Sequence, residues 1–94
     1  MDLRGRWRKE TDEPCAAQYP VEIEFKEATY LAAKGPEQGF ITWDAGIYRV
    51  EPEDRVLVST ATDELVPYQY DEEGERITFT DPGGCQFSYR RVPG

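Results

Sequence analysis

Residues 21–26 read Val-Glu-Ile-Glu-Phe-Lys, an unbroken alternation of apolar and charged side chains. A period of two is the signature of an extended strand with one face buried, so Val21, Ile23 and Phe25 face inward. The same alternation returns at 76–80 and 86–90, and β-branched or aromatic runs occupy 46–50, 55–59 and 64–70. Nowhere does a ten-residue stretch carry an apolar stripe at helical spacing. This alternation excludes a helical bundle and a βαβ architecture, and leaves an antiparallel, one-sided sheet.

Turn residues fall where such a sheet needs them. The clusters at 51–54, 61–63, 71–74 and 81–84 are rich in Pro, Gly, Asp and Glu, and they recur at roughly 8–12-residue intervals. Residues 34–39 form a longer loop. Residues 11–20, with two prolines, form the longest irregular stretch, with room for one short helical turn. The strands are expected at 3–10, 20–26, 29–34, 39–51, 55–61, 64–70, 76–80 and 85–91. Within this set, 39–44 and 46–51 are read as one strand bent at Gly46.

Short connections make sequence neighbours sheet neighbours. The expectation is therefore all-β: an eight-stranded antiparallel up-and-down meander closed into a barrel over residues 1–94, with no substantial helix. Closure removes the sheet edges that would otherwise invite aggregation, and eight strands enclose space for side chains or for one small ligand. An open sandwich or half-barrel is the alternative.

Composition limits function. The 94 residues carry 11 Lys+Arg against 19 Asp+Glu, a formal charge of −8, which disfavours a nucleic-acid partner or an anionic bilayer. There is no histidine, and two cysteines cannot make a four-ligand zinc site, so no metal and no cofactor is expected. No apolar run is long enough for a transmembrane segment. The acidic turns, including 10–13 and 71–75, lack the oxygen spacing of a calcium loop. Ser59 and Ser88 have no histidine base, and the carboxylates lie on turns, so the chain is read as no enzyme. Arg4, Arg6 and Arg8 point outward from the first strand toward Glu22 and Glu24 on its neighbour, and cross-strand ion pairs account for that stripe.

The two ends carry short motifs. Leu3-Arg4-Gly5-Arg6-Trp7 and Phe87-Ser88-Tyr89-Arg90-Arg91 bracket the chain, with 46–50 and 71–79 between them. Together these residues resemble the calycins, the lipocalin superfamily, and within it the small bacterial lipocalin-like domains. The resemblance implies a glycine-x-tryptophan that plugs one barrel end, here Gly5 and Trp7, under an arginine of the last strand. Strand parity selects Arg91 for that place, or Arg90 if a bulge intervenes. A guanidinium over an indole contributes on the order of 1 kcal/mol. Lipocalins proper are longer, with long loops and a wall helix, which this chain lacks.

Antiparallel first and last strands also bring Cys15 within loop reach of Cys85. A disulfide there would close roughly 70 residues and add about 4 kcal/mol on a chain-entropy argument. An oxidised pair favours an exported or envelope-associated protein; two free thiols favour the cytoplasm. The expected interior is Trp7, Ile23, Phe25, Tyr48, Val56, Val58, Tyr68, Phe79, Phe87 and Tyr89. Surplus aromatics supply the candidate binding residues: Trp43 and Phe40 at a rim beside a strand break, with Tyr30, Tyr48 and Tyr68 at the mouth. The leading expectation is a non-catalytic barrel that binds a small apolar molecule at the end opposite Trp7. The alternative is a protein-interaction or inhibitor module using the outer wall and loops, which a dimer could also exploit. A cavity distinguishes the first and an exposed apolar patch the second.

Overall fold

A computed structural model describes residues 3–10 and 13–93 of the chain. Thr11 and Asp12 of the expected acidic turn lie outside the described residues, as do Met1, Asp2 and Gly94. Eight strands follow in order: β1 (Gly5–Lys9), β2 (Glu22–Phe25), β3 (Thr29–Ala33), β4 (Ala45–Glu51), β5 (Arg55–Ser59), β6 (Leu65–Glu73), β7 (Arg76–Thr80) and β8 (Gln86–Arg91). A 3₁₀ turn, Pro14–Gln18, lies between β1 and β2. Each strand pairs antiparallel with its sequence neighbours, and β1 pairs with β8 through Trp7 opposite Arg91 and Lys9 opposite Tyr89. The meander is a closed barrel, as the alternation predicts.

Inward parity holds along the strands. Ile23 and Phe25 of β2, Val56 and Val58 of β5, Ile77 and Phe79 of β7, and Phe87 and Tyr89 of β8 are all buried. Every residue expected in the interior is there. Burying this set removes most of the aromatic surface from water, at about 25 cal/mol per Å² of apolar area.

One strand differs from expectation. Residues 39–44 are not the first half of a bent strand; β4 begins at Ala45, and Gly46 sits inside it, paired with Tyr30. The preceding segment crosses one end of the barrel, held by single backbone bonds from Thr42 N–H to the Gln18 carbonyl (2.5 Å) and from Ala61 N–H to the Thr42 carbonyl (2.8 Å). Ile41 and Trp43 do alternate inward, and both are buried. Alternation thus reported which side chains are enclosed, while the ladder that defines a strand never forms there.

Cys15, in the 3₁₀ turn, is joined to Cys85, just before β8, by a disulfide whose Cα atoms are 6.0 Å apart. It fastens the turn across the same barrel end. Replacing both cysteines with serine is expected to cost about 2–4 kcal/mol without changing the fold. The check is the urea midpoint of the variant beside that of the native chain with and without reductant; a matching midpoint in oxidised samples would contradict it.

Candidate functional site

At the Trp7 end the chain builds a lid. Trp7 is fully buried, and its Nε1 donates to the Leu3 carbonyl at 2.9 Å. The Arg91 guanidinium carbon lies 4.3 Å from the centre of the indole, and Nη1 donates to the Arg4 carbonyl at 2.7 Å. Gly5 has φ 126, a conformation that side chains rarely adopt, and a Cβ there would stand 2.5 Å from Arg91 Nη1. Glycine is what lets the guanidinium lie across the strand. Arg90 points outward instead and donates from Nε to Glu10 at 2.7 Å. Parity therefore identified the right arginine, and this end is a structural closure.

The opposite end, where an entrance is expected, is covered. Lys9 is the inward residue after Trp7, and its Nζ donates to the carbonyls of Ala16 and Tyr19 at 2.9 and 3.0 Å. Gln38 Nε2 donates to the Ala17 and Tyr19 carbonyls, both at 2.7 Å. The Tyr19 ring stacks on Phe87 at 3.7 Å, and its hydroxyl donates to Asp81 at 2.7 Å. Neither Lys9 nor Gln38 stood out in the sequence, although the inward parity of Lys9 was a usable signal.

Trp43 is not at the rim. It is fully buried, with ring centroids of Tyr68, Phe79, Phe87 and Tyr19 at 5.0, 5.1, 5.4 and 5.6 Å, all edge to face. Tyr30 and Phe25 complete the surround at 6.2 and 6.5 Å. Such spacings are van der Waals packing, with no ligand-sized gap between the rings. The indole N–H makes no hydrogen bond, although it lies close enough to oppose, in part, the effect of burial on the Tyr68 hydroxyl. Phe40 parts company with it and stands 64% exposed, so the expected Trp43–Phe40 pair does not exist.

Nor do most of the tyrosine hydroxyls offer themselves to a ligand. Tyr30 donates to the Ser59 carbonyl, Tyr48 to the Lys26 carbonyl, and Tyr89 to the Pro20 carbonyl at 2.7 Å. Burial pushes Tyr30 up to about 12 and raises Tyr19, Tyr68 and Tyr89 as well.

The outer wall divides into two unlike halves. On β7, β8, β1 and β2 it is polar: Arg6 and Arg8 pair with Glu22 at 3.0 and 3.4 Å, and Arg76 and Arg90 pair with Glu10 at 2.9 and 2.7 Å. These partners hold both carboxyls below the usual carboxylate range. On β3 to β6 the outward face carries aliphatic residues at one end, with Arg49, Glu51 and Arg55 beyond them. Leu31, Ile47 and Leu65 are each more than half exposed, and Leu57 and Pro67 share their face. The register sets Leu31 against Ala45 and Leu57 against Pro67. Between β4 and β5 the Ser59 hydroxyl lies beside Ile47 and Arg49 faces Leu57, so the belt draws residues from four adjacent strands with polar groups at its middle seam. Phe40 lies at one end of it, in an open groove of about 410 Å³ with Ile41, Asp44 and Ala61. The sequence carried the signal: once Tyr30 and Tyr48 are inward, Leu31 and Ile47 must be outward apolar residues.

Among the described residues no group of three or more acidic or cysteine side chains is placed to hold a metal ion, and no helix is long and apolar enough to cross a membrane. No protein-family model, curated protein or solved structure matches the chain.

The tyrosines give a pH prediction. Their folded pKa values lie above the ordinary value near 10, so at high pH the folded chain binds more protons than the unfolded one. Stability is then unaffected below pH 9 and falls above about pH 10, by up to about 1.4 kcal/mol per pH unit for each tyrosine kept neutral. Absorbance at 295 nm should show the buried tyrosines ionising together with unfolding; independent ionisation of Tyr89 in a folded barrel would contradict this.

Proposed function

We propose that the chain is a lipocalin-like, non-catalytic interaction module that holds a protein partner against the outer wall of β3 to β6. The observation that carries this reading is the division of the wall, with its exposed aliphatic residues gathered on one side of the barrel. Scattered single apolar residues are ordinary, whereas a belt across four strands is the kind of surface that interfaces cover. The closed meander and the Trp7–Arg91 lid support the lipocalin-like relation. The disulfide supports an exported setting with an oxidising milieu.

A small apolar molecule at the end opposite Trp7 is the weaker reading. That end is covered by the 3₁₀ turn and by residues 39–44, and the space behind it is occupied by Trp43 and its neighbours. The absence of histidine in the whole chain, together with tyrosines committed as neutral donors to backbone carbonyls, supports the non-catalytic part.

Two substitutions test the wall. Ile47→Ser and Leu65→Ser remove exposed side chains, so each should change stability by less than about 0.5 kcal/mol. A photo-crosslinking residue at position 47, introduced in the source cell, should give a discrete protein adduct that the same residue at position 78, on the polar half, does not. Equal adducts from both positions, or none from position 47, would overturn the reading.

A further inference from the structure

The charges around the apolar belt define the chemistry of what covers it. At one end stand Asp44, Asp63 and Glu64, next to Ala45 and Leu65; beyond the other, Asp71 and Glu73 continue the outward face of β6. All five are exposed. The wall's two arginines, Arg49 and Arg55, both pair with Glu51, at 3.2 and 3.9 Å. The belt is therefore rimmed by carboxylates at both ends; its two arginines are engaged with Glu51, and Lys34 is a single cation lining the Phe40 groove with Asp44 at one end.

Resting on the reading of this wall as an interaction surface, we infer that its partner is a protein surface with an apolar strip flanked by Lys and Arg. Three features of the molecule favour that occupant. The barrel is closed, so a partner cannot add a strand to a free edge and must be recognised through side chains. A symmetric second copy would set the same acidic rim against itself in a chain of net charge −8. The chain's own basic stripe is no substitute, because Arg6, Arg8, Arg76 and Arg90 are paired with Glu22 and Glu10. A cationic rim on the partner instead meets unneutralised carboxylates, which speeds encounter and excludes acidic competitors.

The test titrates the ¹⁵N-labelled full chain with three 18-residue amphipathic peptides of equal leucine content, whose polar positions are Lys, Gln or Glu. The Lys peptide is expected to shift the amides of Leu31, Ile47, Leu57 and Leu65, and to bind at least about tenfold more tightly than the Gln peptide. Its affinity should fall about tenfold between 50 and 300 mM salt, as screening of the rim requires. The Ile47→Ser/Leu65→Ser variant should lose at least about tenfold of it. Asp63→Asn/Glu64→Gln should flatten the salt dependence.

Equal binding of the Gln and Lys peptides at the belt would overturn the cationic partner and leave the interaction wall standing. No shift at the belt with any peptide would overturn both. Lys-peptide shifts spread over the acidic turns and unchanged in the Ile47→Ser/Leu65→Ser variant would reduce the effect to charge attraction and overturn the inference. Belt shifts on simple concentration of the protein would assign the wall to a second copy. Shifts with phosphatidylcholine vesicles but no peptide would assign it to a lipid surface.

Discussion

The indole of Trp43 occupies the middle of the barrel, and most of the architecture is arranged around it. Eight short strands enclose an interior only wide enough for side chains. Trp43 enters that interior from the covering segment 39–44 and meets rings contributed by β2, β3, β6, β7 and β8. A single side chain thus ties a loop to five strands. Each edge-to-face contact of this kind contributes about 0.5–1.5 kcal/mol beyond the area it buries.

Filling the interior from one end dictates how both ends are finished. The Trp7 end is sealed by Arg91, whose guanidinium needs the bare backbone of Gly5. The Trp43 end is sealed by the 3₁₀ turn, which Lys9, Gln38, Tyr19 and the disulfide hold in place. Chemistry that would serve a ligand in a larger barrel, hydroxyls and an inward lysine, here satisfies backbone carbonyls. What remains for recognition is the outside, where one half of the wall is covered by ion pairs and the other gathers the exposed aliphatic residues within an acidic rim.

Seven of the eight strands and the closed meander were legible in the sequence through period-two parity and short connections. The Trp7–arginine lid was implied by the resemblance, with parity choosing Arg91, and strand order brought Cys15 within reach of Cys85 without deciding between a bridge and two thiols. The fate of Trp43 was not legible. Alternation across 39–44 is the same whether those residues continue a ladder or fold over the barrel mouth, and only the position of Gly46 opposite Tyr30 decides it. Phe40 and Trp43 are close in sequence, but three residues apart in an irregular segment they point to opposite environments. The apolar belt was missed for a different reason. Parity fixes which residues point inward, and an aliphatic residue at an outward position such as Leu31, Ile47 or Leu65 carries no periodic signal of its own.

The account depends on an interior with no vacancy. Xenon enters apolar cavities that water leaves empty, so crystals pressurised with xenon report such space directly. The prediction is no xenon density among Trp43, Tyr68, Phe79 and Phe87. An ordered xenon atom between these rings would contradict it and return the interior to the list of binding sites.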